Sequence, residues 1–153
     1  MIAVGELAPP FLGTASDGSR VDSSAYHGRP LLLYFYPKAN TAGCSMEARG
    51  FAEHYQDLQK AGIALVGVSV DSVDAQKRFS DRCEVPFPLI ADRDKSISRL
   101  YGVLGFLGVA RRVTFFIGSD GRVREVVEGI LPGPHVRRAV ELARAPSAGT
   151  APP

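Results

Sequence analysis

Cysteine is scarce in this chain: Cys44 and Cys83 are the only two among 153 residues. Two thiols do not make a disulfide framework, and without a C-x-x-C pair there is no standard dithiol oxidoreductase site. The three histidines, His27, His54 and His135, are scattered, and nothing has zinc-ligand spacing, so no metal is expected. They read as polar surface or packing residues rather than as bases. No lysine/arginine block stands out and the net charge is only +2, so neither nucleic acid nor a membrane surface is an expected partner. No apolar run approaches a membrane span. Met1 to Phe11 has neither a basic start nor a long apolar stretch, so no signal peptide is expected and a soluble, cytoplasmic protein is. No internal repeat is visible.

What is present is ordinary globular composition, 45% hydrophobic and 22% charged. The length predicts one domain, 1–145, followed by an Ala/Pro/Ser/Gly tail, 146–153, expected to be unstructured. Pro9-Pro10 and Asp17-Gly18 mark a short hairpin or loop entry. Leu31 to Tyr36 is a continuous apolar run that fits a strand buried on both faces. From Cys44, small or apolar residues recur with helical spacing through Leu58, and Gly62 is the expected stop. Ile63 to Val70 predicts a second buried strand. Asp71 or Ser72 is the expected cap of a helix running to about Cys83. Residues 85–90 predict a turn and short strand, and Asp92 and Asp94 introduce a helix ending near Tyr101-Gly102. Val113–Ile117 and Val123–Glu128 predict a hairpin around Ser119-Asp120-Gly121. Pro134 suits the first turn of a final helix through about Ala143.

Helices alternating with apolar strands imply a central sheet with helices on both faces, and the late hairpin makes that sheet mixed. This order of elements is the thioredoxin-like arrangement, an α/β fold.

The segment Pro37-Lys38-Ala39-Asn40-Thr41-Ala42-Gly43-Cys44 carries the chemistry. It follows the first buried strand directly, and a helical pattern opens at the cysteine. A thiol at a helix start meets free backbone N–H groups and the positive end of the helix dipole, and both favour thiolate. The Thr41 hydroxyl, three residues earlier, is able to reach the same spot or to cap the helix. A buried cysteine acting only as a small hydrophobe is the plainer alternative for either thiol.

Four blocks resemble the peroxiredoxins, in particular the peroxiredoxin Q or bacterioferritin-comigratory-protein branch. They are GELAPPF from Gly5, YFYPKANTAGCSME from Tyr34, FPLIAD from Phe87 and RVTFFI from Arg112. The resemblance implies a thioredoxin-like fold and reduction of hydrogen peroxide and organic hydroperoxides without a cofactor. It implies that Cys44 is the peroxidatic cysteine, that Thr41 and Arg112 complete the site, that Pro37 shields it, and that Glu47 orients the arginine. Arg111 is the basic competitor for Arg112, and Glu47 read alone is a helix first-turn acid. The chain departs from the pattern in having Ala39 where many members have aspartate and Ala42 where many have proline. Arg49 stands where some members carry a second cysteine; other members carry the partner in the later helix, and the resemblance to those implies Cys83, at the end of that helix and somewhat later than the usual place, as the resolving cysteine.

The implied chemistry has three requirements. The sulfur must be ionised, donors must face the two peroxide oxygens as their bond breaks, and bulk water must be limited. Arg112, the Thr41 hydroxyl and the backbone N–H groups of Gly43 and Cys44 are the candidate donors; Gly43 allows close backbone approach. Condensation of a Cys44 sulfenic acid with Cys83 implies an intramolecular disulfide and reduction by thioredoxin or a similar dithiol. Alternatives are a one-cysteine peroxidase resolved by an external thiol, and a non-enzymatic thioredoxin-like sensor or scaffold. A monomer or weak dimer is expected. The apolar stretch Val103 to Ala110 is expected to wall the pocket, cover the core or form an interface.

Overall fold

Leu31–Phe35 (β3) is the axis on which the rest is hung, and all five of its residues are buried. The structure, a computed structural model, describes residues 1–145; the tail expected over 146–153 lies outside the described residues. Before β3, Leu12–Thr14 (β1) and Arg20–Asp22 (β2) form the short hairpin expected around Asp17-Gly18. After it come helices Ala42–Glu53 (α1) and Tyr55–Lys60 (α2), strand Ala64–Ser69 (β4) and helix Val73–Cys83 (α3). Strand Leu89–Ala91 (β5), helix Ser96–Leu100 (α4), strands Val113–Ile117 (β6) and Val123–Glu128 (β7), and helix Pro132–Arg144 (α5) complete the order. The order in the main sheet is β5-β4-β3-β6-β7, with β3 parallel to β4 and antiparallel to β6. The sheet is therefore mixed and flanked by helices, a thioredoxin-like α/β fold, as the element pattern implied.

Side chains alternate along β3, so each face builds its own core. Leu31, Leu33 and Phe35 meet Phe11, Ile97, Tyr101 and Val103 on one face. Leu32 and Tyr34 meet Phe51, Leu58, Phe79, Ala139 and Leu142 on the other, under α1, α2, α3 and α5. Both cysteines lie in this second core. Among the described residues no helix is long and apolar enough to cross a membrane.

Two boundaries differ from the sequence pattern. The first helix opens at Ala42 rather than at Cys44, because Thr41 takes the extended conformation of an N-cap and the small residues Ala42 and Gly43 already form the first turn. That helix also breaks at His54 (φ −101°, ψ 8°), so two helices stand where one was expected. The break sets Tyr55 against Phe87 while Leu58 still reaches the core. Gly62, with φ +76°, makes the expected stop. Ser72, not Asp71, caps α3 by accepting the Ala75 N–H at 3.2 Å.

The other end of α3 is less well made. Cys83 is its last residue, and Glu84 follows with φ 51° and ψ 51°. Left-handed backbone at a helix C-terminus is normally glycine's, since a Cβ there crowds the carbonyl. Replacing Glu84 by glycine is expected to stabilise the reduced protein by about 1 kcal/mol, measured as an upward shift of the urea midpoint at unchanged slope.

Candidate active site

The sheet register brings the site together. Phe35, the last residue of β3, pairs with Val113, the first of β6, and Val113 pairs with Glu128, the last of β7. Three segments therefore leave the sheet at one end: the loop from Tyr36 to Thr41, the approach through Arg112, and the turn at Gly129-Ile130. Cys44 sits in the first turn of α1 above this end and is buried.

Arg112 is held on three sides. Its Nε donates to the Ile130 carbonyl at 2.9 Å, Nη1 to Glu47 Oε1 at 2.5 Å, and Nη2 to Cys44 Sγ at 3.4 Å. A rigid planar fork with five donors makes this threefold attachment possible; an ammonium does not have that geometry. Burial works against the cation, but the negative charges of Glu47 and Cys44 outweigh it and hold the Arg112 pKa above its usual value. Arg111 turns the other way, donating to the Gly102 carbonyl at 3.2 Å and facing Glu128 at 3.6 Å. The arginine at the sulfur is thus the one that the motif indicated.

Glu47 is not a first-turn acid. With α1 starting at Ala42 it lies in the second turn and is wholly buried. Burial pushes its pKa up to about 7, against the opposing pull of Arg112. Its second oxygen, Oε2, has no hydrogen-bond partner and lies 4.0 Å from His135 Nδ1. His135 is also buried, and burial lowers its pKa; the Gly129 carbonyl opposes this and Arg112 adds to it. A carbonyl only accepts, so the 2.9 Å contact between Nε2 and the Gly129 oxygen puts the proton on Nε2. Nδ1 then accepts from the Thr114 hydroxyl at 2.8 Å. His135 is therefore a neutral strut between β6 and the turn that carries the Ile130 carbonyl.

Thr41 occupies the N-cap position, yet its side chain makes no cap bond. The hydroxyl instead donates to the Lys38 carbonyl at 2.8 Å, which leaves the oxygen lone pairs available. The first intrahelical bond runs from the Ser45 N–H to the Thr41 carbonyl, so the N–H groups of Gly43 and Cys44 precede the helical ladder. A Cβ on Gly43 would come within 3.2 Å of Arg112 Nη2; glycine is what lets the guanidinium lie against this turn.

Pro37, half-buried, and Arg112 line a cleft of about 710 Å³ with Leu104, Phe106, Leu107 and Ile130. The apolar stretch 103–110 divides its tasks. Val103 and Ala110 are buried at its base, while Phe106 is 97% exposed at its tip and lines the cleft. Cys83 is remote in sequence but shares the apolar core with Cys44, Tyr34, Tyr36, Phe79 and Phe87. Both cysteines are free thiols. Nothing in the residue pattern marks the Ile130 carbonyl, since a backbone atom carries no residue signature, and His135 reads from the sequence as a polar surface or packing residue. Among the described residues no group of three or more His, Cys, Asp or Glu stands in a metal-binding arrangement.

This geometry has close relatives. A family model described as the AhpC/TSA family matches residues 4–126. Peroxiredoxin Bcp of Escherichia coli K12 is 32% identical over 141 residues, 88% of this chain and 90% of that protein. The chloroplastic peroxiredoxin Q of Sedum lineare is 31% identical over 144 residues, 92% of this chain and 77% of that protein. Among solved structures, peroxidoxin BcpB of Mycobacterium tuberculosis superposes with a TM-score of 0.87 at 27% identity, covering 94% of this chain and 97% of that one. The Xanthomonas campestris bacterioferritin comigratory protein, from a study of its alkyl peroxide reduction activity, gives 0.82 at 27% identity, covering 94% and 96%. A thiol presented by a helix start to a buried guanidinium is thus embedded in a sequence and a fold shared along almost the whole chain, and the protein belongs to the AhpC/TSA family, in its Bcp/peroxiredoxin Q branch of thiol peroxidases.

Proposed function

We propose that Cys44 reduces hydrogen peroxide and organic hydroperoxides, and that Arg112, Thr41 and the first turn of α1 are its working parts. The observation that carries this reading is the 3.4 Å contact of Arg112 Nη2 with the sulfur of a buried thiol at a helix start. As thiolate, Sγ attacks one peroxide oxygen; an S–O bond forms, the O–O bond breaks, and Cys44 becomes a sulfenic acid. The departing oxygen leaves with the bonding pair and takes a proton as water or alcohol. Negative charge passes from sulfur to oxygen in the transition state, so donors fixed around both atoms accelerate the step more than thiolate population alone. Arg112 and the N–H groups of Gly43 and Cys44 are those donors; the Thr41 oxygen, whose proton goes to the Lys38 carbonyl, is left to accept from the hydroperoxide O–H, and Glu47 holds the guanidinium in place. Pro37 and the apolar cleft limit water and suit the carbon skeleton of an organic hydroperoxide, in keeping with the alkyl peroxide activity of the Xanthomonas campestris relative.

Cys83 is the proposed resolving thiol. Its sulfur attacks the Cys44 sulfenic sulfur, an S–S bond forms and water leaves; thioredoxin or a similar dithiol then reduces the disulfide by exchange. The position of Cys83 at the very end of α3, before a left-handed Glu84, supports this role. A helix end frays at low cost, as a disulfide between cysteines on two helices requires.

Arg112→Lys is expected to lower the second-order rate constant for peroxide by about 100-fold in stopped-flow measurements. Arg111→Ala should leave it within about twofold, since that residue faces away from the sulfur; the reverse ranking would refute the assignment. One equivalent of peroxide should remove two hydrogens from the intact mass of the native protein, with a Cys44–Cys83 cross-link in the peptide map. The Cys83→Ser variant should instead gain one oxygen at Cys44. Undiminished turnover of that variant with thioredoxin would assign resolution to an external thiol.

Glu47 also makes stability depend on pH. Its folded pKa of about 7 exceeds the unfolded value near 4.5, so the folded state keeps a proton that the unfolded chain has lost. This contribution is fully present below pH 4.5 and lost as pH rises through 7. Glu47→Gln abolishes it, so urea titrations should show the variant gaining on the native protein across that window, by on the order of 1–3 kcal/mol.

A further inference from the structure

A second polar cluster lies behind the loop that carries Thr41, on the side away from Arg112. Ala39 is 5% exposed and lies outside the sheet ladder, so its N–H needs a partner of another kind. It donates to Asp71 Oδ2 at 2.7 Å, and the Ser69 hydroxyl donates to the same oxygen at 2.6 Å. Ser69 is wholly buried at the end of β4, and the Tyr36 hydroxyl lies against it. Tyr36 in turn donates to Gln76 Oε1 at 2.5 Å, and Gln76 Nε2 donates to the Ile90 carbonyl at 2.8 Å. The loop is thereby tied through β4 to α3 and β5. Parallel pairing of β3 with β4, with Phe35 opposite Val68, puts Asp71 at the same end of the sheet as the loop.

The loop has few other anchors. Tyr36 N–H donates to the Val68 carbonyl at 3.0 Å at its start, and the Thr41 hydroxyl returns to Lys38 within the loop itself. Between them Asn40 sits in the left-handed region, φ 63°, next to the clamped Ala39 N–H. Sγ, by contrast, is held by α1 and by Arg112, neither of which uses this clamp.

We propose that Asp71 is a positioning residue for the peroxide reaction: its carboxylate fixes the backbone at Ala39 and, through it, the place of the Thr41 hydroxyl, without touching the sulfur. The inference rests on the role given above to Thr41. Misplacing one reacting or hydrogen-bonding group by about 1 Å costs on the order of 100-fold in rate. Loss of the clamp therefore slows attack on peroxide while leaving the sulfur itself accessible and reactive towards a reagent that needs no hydroxyl.

The test compares two reactions at Cys44 in the full-length reduced protein: oxidation by hydrogen peroxide and alkylation by iodoacetamide, followed by peptide mapping. Asp71→Ala is expected to lower the peroxide rate constant 10- to 100-fold and to change alkylation less than threefold. Asp71→Asn keeps an acceptor for the Ala39 N–H and should recover much of the loss. If the alanine variant does not fold, the asparagine variant carries the test, with a more than threefold loss towards peroxide and unchanged alkylation. In a Thr41→Val background, Asp71→Ala should add less than threefold, because both changes remove the same hydroxyl from its place. A native peroxide rate in Asp71→Ala (or in Asp71→Asn where the alanine variant does not fold), a parallel fall in alkylation, or multiplicative losses in the double variant would each overturn the proposal. An inert native protein would overturn the proposed function as well, and is told apart from those results because it needs no variant.

Discussion

The buried contact of Arg112 with Glu47 is the constraint around which this end of the molecule is organised. A guanidinium and a carboxylate taken out of water each carry a large desolvation cost, and removing either leaves the other stranded. The surroundings reflect that. The Ile130 carbonyl accepts a hydrogen bond from Nε, Cys44 Sγ accepts one from Nη2, and Gly43 leaves room for the guanidinium. Glu47 Oε2 is left without a hydrogen-bond partner, facing a neutral histidine. The pair is weak evidence for stability, but it fixes where a positive charge stands relative to one sulfur.

From that point the structure divides into two supports. On one side, β6, β7 and the start of α5 hold the guanidinium, with His135 bridging Thr114 and the Gly129 carbonyl. On the other, the loop after β3 holds Thr41, clamped by Asp71 from the end of β4. Cys44 stands between them at the head of α1. Reaction geometry is thus set by strands that leave the sheet at one end, the usual place for sites in open α/β sheets. The resolving step proposed above makes a different demand on the same region, since Cys44 and Cys83 sit on separate helices. A left-handed glutamate directly after Cys83 makes the end of α3 the weaker of the two.

Much of the fold was legible because burial leaves a periodic trace. The run Leu31 to Tyr36, the hairpin around Asp120-Gly121, the stop at Gly62 and the helix ending at Cys83 all appear close to where their patterns put them. The misjudged points are local. The helix begins at Ala42 because an extended Thr41 suffices as a cap even when its hydroxyl points elsewhere, and hydrophobic spacing does not register two small residues ahead of the cysteine. The break at His54 was hidden because apolar spacing continues through it, serving two short helices as well as one long one.

For the site itself, the sequence determined the residue types: a thiol at a helix start, a threonine ahead of it, glycine beside it, an acid one turn on, and an arginine before a strand. Local spacing is enough for those, because the helix start and its loop are contiguous in the chain. Tertiary structure decided everything that joins distant segments. Antiparallel pairing of β3 with β6 chose Arg112 over Arg111, since strand residues alternate in direction and a shift of one would turn the guanidinium away. The same folding turned Glu47 from a helix first-turn acid into a buried anchor, made His135 a strut and recruited Asp71 to the loop. These contacts span from 32 to 65 positions where Asp71 meets Ala39 and Arg112 meets Glu47, and no pattern along the chain specifies which backbone carbonyl or carboxylate will lie within hydrogen-bonding distance once the sheet has closed.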